Sequence, residues 1–324
     1  MAQINLDGQQ ANDAEELFSV ESELEKEPME NSIRMPSISI NDGLSENIES
    51  GFTMEEINDP NRISVTVADS KTPLVILFGP PACGKTMTLI RLSRYLKRNG
   101  YTVVPEASFR PNYDKNYNEM CTHFDEMINS NDAAESTKRI NFMLVKVMKN
   151  GSPICQILEG PGEYYFNPEN PIAPFPSYVH SIIASDNRKL WAIMVEPSNT
   201  NRRMDSTARQ NYVDKVSRLK TQIDRRDKIT FVYNKIDETP YIVSPGIVRY
   251  KLALQDIENH YPGLLGLFKN ENPITRFWQP YNFGLIAFQT GSFTDTADGG
   301  KTFQEGNNVY PQKLWRYIMK RIRG

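Results

Sequence analysis

The stretch that decides how the chain is read is Pro73-Leu74-Val75-Ile76-Leu77-Phe78-Gly79-Pro80-Pro81-Ala82-Cys83-Gly84-Lys85-Thr86. Its first six residues are apolar without interruption. That is the pattern of a short parallel strand covered on both faces. From Thr86 onward Leu89, Leu92 and Leu96 recur at helical spacing until Asn99-Gly100 supplies a left-handed stop. The loop between strand and helix, Gly79 to Thr86, matches G-x-x-x-x-G-K-[ST]. In such a loop consecutive backbone N–H groups wrap phosphate oxygens, a lysine in the place of Lys85 reaches the β and γ oxygens, and a hydroxyl in the place of Thr86 binds Mg²⁺. Cys83 fits there as a small residue.

Outward from this unit the chain alternates strand and helix. Ile140 to Met148 and Pro153 to Leu158 are β-rich and joined by Lys149-Asn150-Gly151-Ser152, whose Asn-Gly pair predicts a tight antiparallel hairpin. Leu190 to Val195 and Ile229 to Asn234 read as buried strands. The helix between them carries Tyr212, Val216, Leu219 and Ile223 on one face, and Leu285 to Phe288 reads as the last strand. A helix opened by Pro311 ends the chain, with Leu314, Trp315, Ile318 and Ile322 on its apolar side and Lys313, Arg316, Lys320, Arg321 and Arg323 elsewhere. Tyr101 to Val104 reads as a short strand, and Arg62 to Asp69 as an added edge strand. The pattern predicts an α/β, doubly wound, mostly parallel sheet with an antiparallel edge hairpin and ligands beyond the carboxyl ends of its strands.

Asn234-Lys235-Ile236-Asp237 follows a buried strand downstream of the loop, and here the chain resembles the P-loop GTPases, whose N-K-x-D motif reads guanine. The carboxylate accepts from N1–H and the exocyclic amino group, a pair of donors that adenine lacks on that edge. Glu159-Gly160-Pro161-Gly162 looks like the D-x-x-G motif of the same proteins, with Glu in place of Asp. The resemblance makes Glu159 a water-mediated Mg²⁺ ligand and the N–H of Gly162 a γ-phosphate donor. It makes Thr137, just before the hairpin, the switch-loop ligand of Mg²⁺ and γ-phosphate. Thr290-Gly291 occupies the place of the loop that supports the guanine. The likeness covers most of residues 73–324 and is nearest the translation-factor and Ras-like (TRAFAC) branch. LEGPGE with long insertions is similar to the bacterial double-GTPase or GTPase-associated type.

The resemblance implies GTP and GDP as ligands, Mg²⁺ as cofactor, and GTP hydrolysis by transfer of the phosphoryl group to water. Lys85 would stabilise charge and Glu163, after Gly162, would position the water. A carboxylate beside an anionic phosphate implies slow turnover, raised by an arginine in cis, such as Arg110 or Arg139, or from a partner. A regulatory switch with a protein partner is the leading expectation. A non-hydrolysing nucleotide-dependent scaffold and a P-loop ATPase or kinase are the alternatives.

Composition sets the frame for these motifs. Of 324 residues, 39% are hydrophobic, enough for a real core. The net charge of −3 hides an asymmetry: residues 1–60 hold fifteen Asp and Glu against Lys26 and Arg34 alone. Such a segment, poor in aromatics, is expected to be a disordered acidic arm on a GTPase domain spanning 61–324. There is no signal-peptide pattern and no run of about 18 apolar residues, so the expected location is cytoplasmic. Cys83, Cys121 and Cys155 lack metal-ligand spacing and read as reduced thiols. The basic final helix reads as a solvated face, and nothing indicates nucleic-acid binding.

Overall fold

The computed structural model describes residues 52–111, 113–129, 142–162, 173–197, 205–295 and 301–323. The described chain runs through α1 (Met54–Asn58), β1 (Leu74–Phe78), α2 (Lys85–Arg98), β2 (Thr102–Pro105), α3 (Lys115–Asn129), β3 (Met143–Lys149) and β4 (Ser152–Glu159). It continues through α4 (Ser177–Ala184), β5 (Lys189–Val195), α5 (Ser206–Gln222), β6 (Lys228–Tyr233), β7 (Ile242–Ser244), β8 (Ile247–Val248) and α6 (Tyr250–His260). It ends with α7 (Pro273–Trp278), β9 (Gly284–Ala287), β10 (Ser292–Asp295), β11 (Lys301–Gln304) and α8 (Val309–Arg323).

Seven strands form one sheet in the order β2-β3-β4-β1-β5-β6-β9. The five from β4 to β9 are parallel, while β2-β3-β4 is antiparallel. Every residue of β1 and β5 is buried, as continuous apolar runs in the middle of a covered sheet require. The β3–β4 hairpin turns on Asn150 and Gly151, at φ 50° and 76°, the two left-handed residues of a type I′ turn. Helix α2 stops as the Asn99-Gly100 pair predicts. Gly100 has φ 72°, its N–H donates to Lys97 O at 3.1 Å, and the Tyr101 N–H donates to Leu96 O at 3.0 Å. Helix α8 packs on α2, β5 and β9.

Two expectations need adjustment. Residues 62–69 form no strand. Their polar backbone is taken up one group at a time: Thr66 N–H donates to Phe109 O, Arg110 to Ser64 O, and Gln156 and Asn187 both to Asp69 O, all at 2.7–2.8 Å. With those carbonyls bound to side chains, no ladder can run there. The final helix starts two residues before Pro311, at Val309, whose N–H donates to Asn307 Oδ1 at 2.9 Å.

Residues 52–60, which composition groups with the acidic arm, include a built contact with the domain. Thr53 and Glu56 form a reciprocal capping box on α1. Glu56 then accepts from Arg110 Nη2 at 2.6 Å, while Asp114 accepts from Arg110 Nε at 2.8 Å. Phe52 packs on Phe142 with ring centroids 5.3 Å apart. Removing residues 1–60 therefore strips a buried guanidinium of one carboxylate and should cost about 2–3 kcal/mol. Removing residues 1–50 spares the contact and should leave thermal unfolding within a few tenths of a kcal/mol of the full chain. Equal melting temperatures for the two truncations would contradict this.

Candidate functional site

The site forms where β1, β4, β5, β6 and β9 end. Gly79 to Gly84 leave β1 and turn into α2. The turn needs a left-handed step at Ala82 (φ 60°) and another at Gly84 (φ 88°). Gly84 has a second reason to lack a side chain. A Cβ there would lie 2.3 Å from Asn234 Nδ2 and 3.1 Å from Thr290 Cγ2. The loop after β1, the loop after β6 and the loop after β9 thus meet at one glycine.

Their contact is specific. Asn234 is fully buried, and its Nδ2 donates to Cys83 O at 2.7 Å, while its own N–H donates to Val195 O at 2.8 Å. Lys235 takes a left-handed φ of 52°, Ile236 is in the core, and Asp237 is half-buried beside Gln289 and Arg91. Lys235 Nζ donates to Glu196 Oε2 at 2.6 Å, and Glu196 is itself buried at the end of β5. Asp237 Oδ1 is buried with no hydrogen-bond partner among the described residues. Burial raises the pKa of this carboxyl above the ordinary 3.8, against its own backbone N–H, Gln289, Arg91 and Lys235, which pull it down.

On the other side of the loop Lys85 is buried, and its Nζ donates to Gly79 O at 3.1 Å and Pro80 O at 2.9 Å. Thr86 Oγ1 donates to Glu159 Oε1 at 2.5 Å. Gly162 sits against the loop: a Cβ there would lie 2.4 Å from Pro81 N, 2.6 Å from Pro80 C and 2.9 Å from Lys85 Nζ. The structure thus brings together Gly79 to Thr86, Glu159, Gly162, Asn234, Lys235, Asp237 and Thr290, with Gly291 next in line at φ 112°. Thr137, Arg139 and Glu163 lie outside the described residues. Arg110 is not near this site in function, because Glu56, Asp114 and Ser64 O occupy its guanidinium.

The arrangement can bind an anion and, beside it, a planar group with paired donors. Pro80 and Pro81 bring no N–H, so the loop's backbone donors for an anion can come only from Gly79 and from Ala82 onward, with Lys85 as the adjoining cation. Thr86 and Glu159 place two oxygens within one hydrogen bond of each other. That donor set suits a hard cation held partly by phosphate rather than by an all-protein cage. The described residues contain no cluster of three or more His, Cys, Asp or Glu able to hold a metal. The Cys83 thiol is pushed up to about 11 by burial, so it is an inert wall of the loop.

Two contributors were missed from sequence. Arg91, on the buried side of α2, donates to Gln289 O, to Gly306 O at 2.7 Å and to Asn307 O at 3.2 Å, and its guanidinium lies 5.6 Å from the Phe288 ring centroid. Burial brings its pKa down to about 10, against Glu305 and Asp237. Nothing in the local sequence distinguishes it from the other basic residues of α2. Glu196 did carry a signal, as a lone carboxylate directly after the apolar run of β5, where ligands of such sheets collect.

No protein-family model and no curated protein sequence matches the chain. Solved structures similar to it include translation elongation factor SelB from Methanococcus maripaludis in complex with the GTP analogue GppNHp, at 12% identity over 78% of this chain and 34% of that one, with a TM-score of 0.33. The GTPase-like domain of S. cerevisiae Ski7, bound to GDP and inorganic phosphate, is 10% identical over 78% of this chain and 51% of that one, with a TM-score of 0.42. The RocCORdC part of Methanosarcina barkeri Roco2, bound to GDP, is 12% identical over 80% and 51%, with a TM-score of 0.30. The chain spans about a third to a half of the length of these structures.

Ala82 is the non-glycine residue that holds the loop in its left-handed step. That conformation costs roughly 1–2 kcal/mol for an L-residue, while glycine adds roughly 0.5–1 kcal/mol of chain entropy. Ala82→Gly should therefore raise stability by about 0.5–1 kcal/mol in chemical denaturation. A loss of that size would contradict the loop geometry.

Proposed function

We propose that the chain is a guanine-nucleotide-binding protein that hydrolyses GTP slowly with Mg²⁺ and works as a regulatory switch. The observation that carries this reading is the buried, unpartnered Oδ1 of Asp237, fixed beside the phosphate-binding loop by the bond from Asn234 to Cys83 O. A buried acceptor in that place calls for a donor, and the N1–H and amino group of guanine supply two on one edge.

In this account Lys85 leaves the carbonyls of Gly79 and Pro80 for the β and γ oxygens, so one fixed cation is exchanged between loop and ligand. Thr86 and Glu159 would hold Mg²⁺, which supplies neutralisation of the charge on the phosphates when bound. Gly162 gives way from its seat on Pro80 and Pro81 to admit the γ-phosphate, and its N–H then donates to it. Glu163 orients the water, and its charge keeps turnover slow. Thr137 and the segment from Glu159 to Glu163 respond to the γ-phosphate, and a protein partner reads that response. The family type among the GTPases stays the TRAFAC branch, with the bacterial double-GTPase kind as its finer form.

The test is base identity. Asp237→Asn sets an amide N–H against a donor of guanine and should weaken GDP binding by about 1–3 kcal/mol or more. The same variant should gain xanthosine diphosphate relative to GDP, because xanthine carries a carbonyl where guanine has its amino group. The wild-type carboxylate must be ionised to accept twice, and its pKa is raised. GDP affinity should therefore fall on acidification at a pH above that of an ordinary aspartate, and the variant should lose this dependence. Unchanged GDP and xanthosine preference in the folded variant would overturn the reading.

A further inference from the structure

At the end of the sheet opposite the nucleotide-facing loops, the chain makes a closed excursion between Phe268 and Phe283. Gly284 opens β9 and pairs with Thr230 near the amino end of β6, so this excursion leaves the domain away from Asn234 and Thr290. Its stem is tied: Asn282 N–H donates to Phe268 O at 2.8 Å, Asn270 N–H to Pro280 O at 2.9 Å, and Lys269 bridges Tyr281. Its base is anchored, since Phe268 and Phe283 both stack edge-on to Phe231, with centroids at 5.7 and 4.8 Å. The tip is α7, and it presents Ile274, Phe277 and Trp278 at 75%, 79% and 64% exposure. A hydrogen-bonded stem that holds three large apolar side chains in water is a costly arrangement unless something covers them.

The charge around the tip identifies what. Arg276 is exposed on α7 itself. The last turn of α8 reaches the same end, because Arg321 Nη2 donates to Ile229 O at 3.2 Å and Arg188 Nη1 to Ile322 O at 3.0 Å. That turn carries the exposed Lys320 and Arg323. Of the acids near this end, Asp224 is paired with Arg226 at 3.1 Å and Asp227 accepts from Trp191 Nε1 at 3.1 Å, while Asp186 lies beside Arg226, Glu258 beside Tyr281 of the stem, and Glu271 on the excursion itself. Three side chains of this size offer roughly 500 Å² of cover, short of the roughly 800 Å² per side of a stable protein interface. A Trp-Phe-Ile tip with Arg276 on the same helix, at the end of the sheet where Lys320 and Arg323 also lie, instead matches the headgroup region of an anionic bilayer, where aromatic residues settle and each nearby basic residue adds attraction. We propose that this end of the domain docks the protein on anionic phospholipid membrane, by contact at the surface. Among the described residues no helix is long and apolar enough to cross a bilayer.

Trp278 gives a direct readout, because the other two tryptophans, Trp191 and Trp315, are buried. The full chain is mixed with vesicles of phosphatidylcholine and phosphatidylserine, or of phosphatidylcholine alone, then sedimented and followed by tryptophan emission. Binding to the anionic vesicles with a blue shift is expected, weakened by salt and by Arg276→Glu. Ile274→Ala/Phe277→Ala should lower vesicle binding about tenfold or more while leaving the unfolding curve unchanged, both positions being exposed. Absence of anionic-vesicle binding, binding without an emission shift, or equal binding by the double variant would overturn the proposal. So would self-association of the wild type that the double variant abolishes, since the tip would then be covered by a second copy.

Discussion

The bond from Asn234 Nδ2 to Cys83 O is the constraint on which the site depends. It joins the loop after β1 to the loop after β6 across the end of β5, which lies between them in the sheet. The parallel register makes this possible, with Phe78 paired to Ile193 and Val195 to Tyr233, so the three strands end close to level. Both atoms are buried. A neutral hydrogen bond contributes only about 1 kcal/mol net, but an unpaired donor or acceptor there would cost about 1–3 kcal/mol, so the loops are held mainly against separating. Gly84 follows from the same bond, because no other residue leaves room for the amide.

Around this link the charged side chains are each held by specific partners. Glu196 neutralises Lys235 and fixes its direction, and Lys85 rests on carbonyls that hold it without neutralising it. Arg91 ties α2 to Gln289 O and to the chain leading into α8, so the helix that follows the Gly79–Gly84 loop is joined to the loop after β9. Farther along α2, Arg94 donates to Glu305 Oε1 at 2.7 Å and to Met127 O, extending the same brace to α3. The loop before α2 and the loop after β9 are thereby supported by one helix.

The parts of this structure that were legible in sequence are those set by local chemistry. The unbroken apolar run of β1, the Asn150-Gly151 turn and the Asn99-Gly100 stop each state a backbone requirement in one or two residues. The residues brought together at the site came from motifs that each directly follow a parallel strand, at the ends of β1, β4, β6 and β9. What could not be read is set by tertiary partners. Residues 62–69 alternate like a strand, yet their carbonyls are claimed by Arg110, Gln156 and Asn187 from elsewhere. Glu56 looks like one more acid in an acidic stretch until Arg110 is placed beside it. Arg91 has no local mark at all, and the exposure of Ile274, Phe277 and Trp278 depends on a stem closed by backbone bonds, which periodicity does not report.

The central claim is that Asp237 and its neighbours select guanine. It is tested most directly by titrating the purified, nucleotide-stripped protein with GDP and with ADP in parallel calorimetry with Mg²⁺ present. The account predicts GDP bound at least about a hundredfold more tightly, since ADP would set the buried carboxylate oxygen against the N1 acceptor and C2–H of adenine in place of guanine's paired donors. Equal affinity for the two would contradict it.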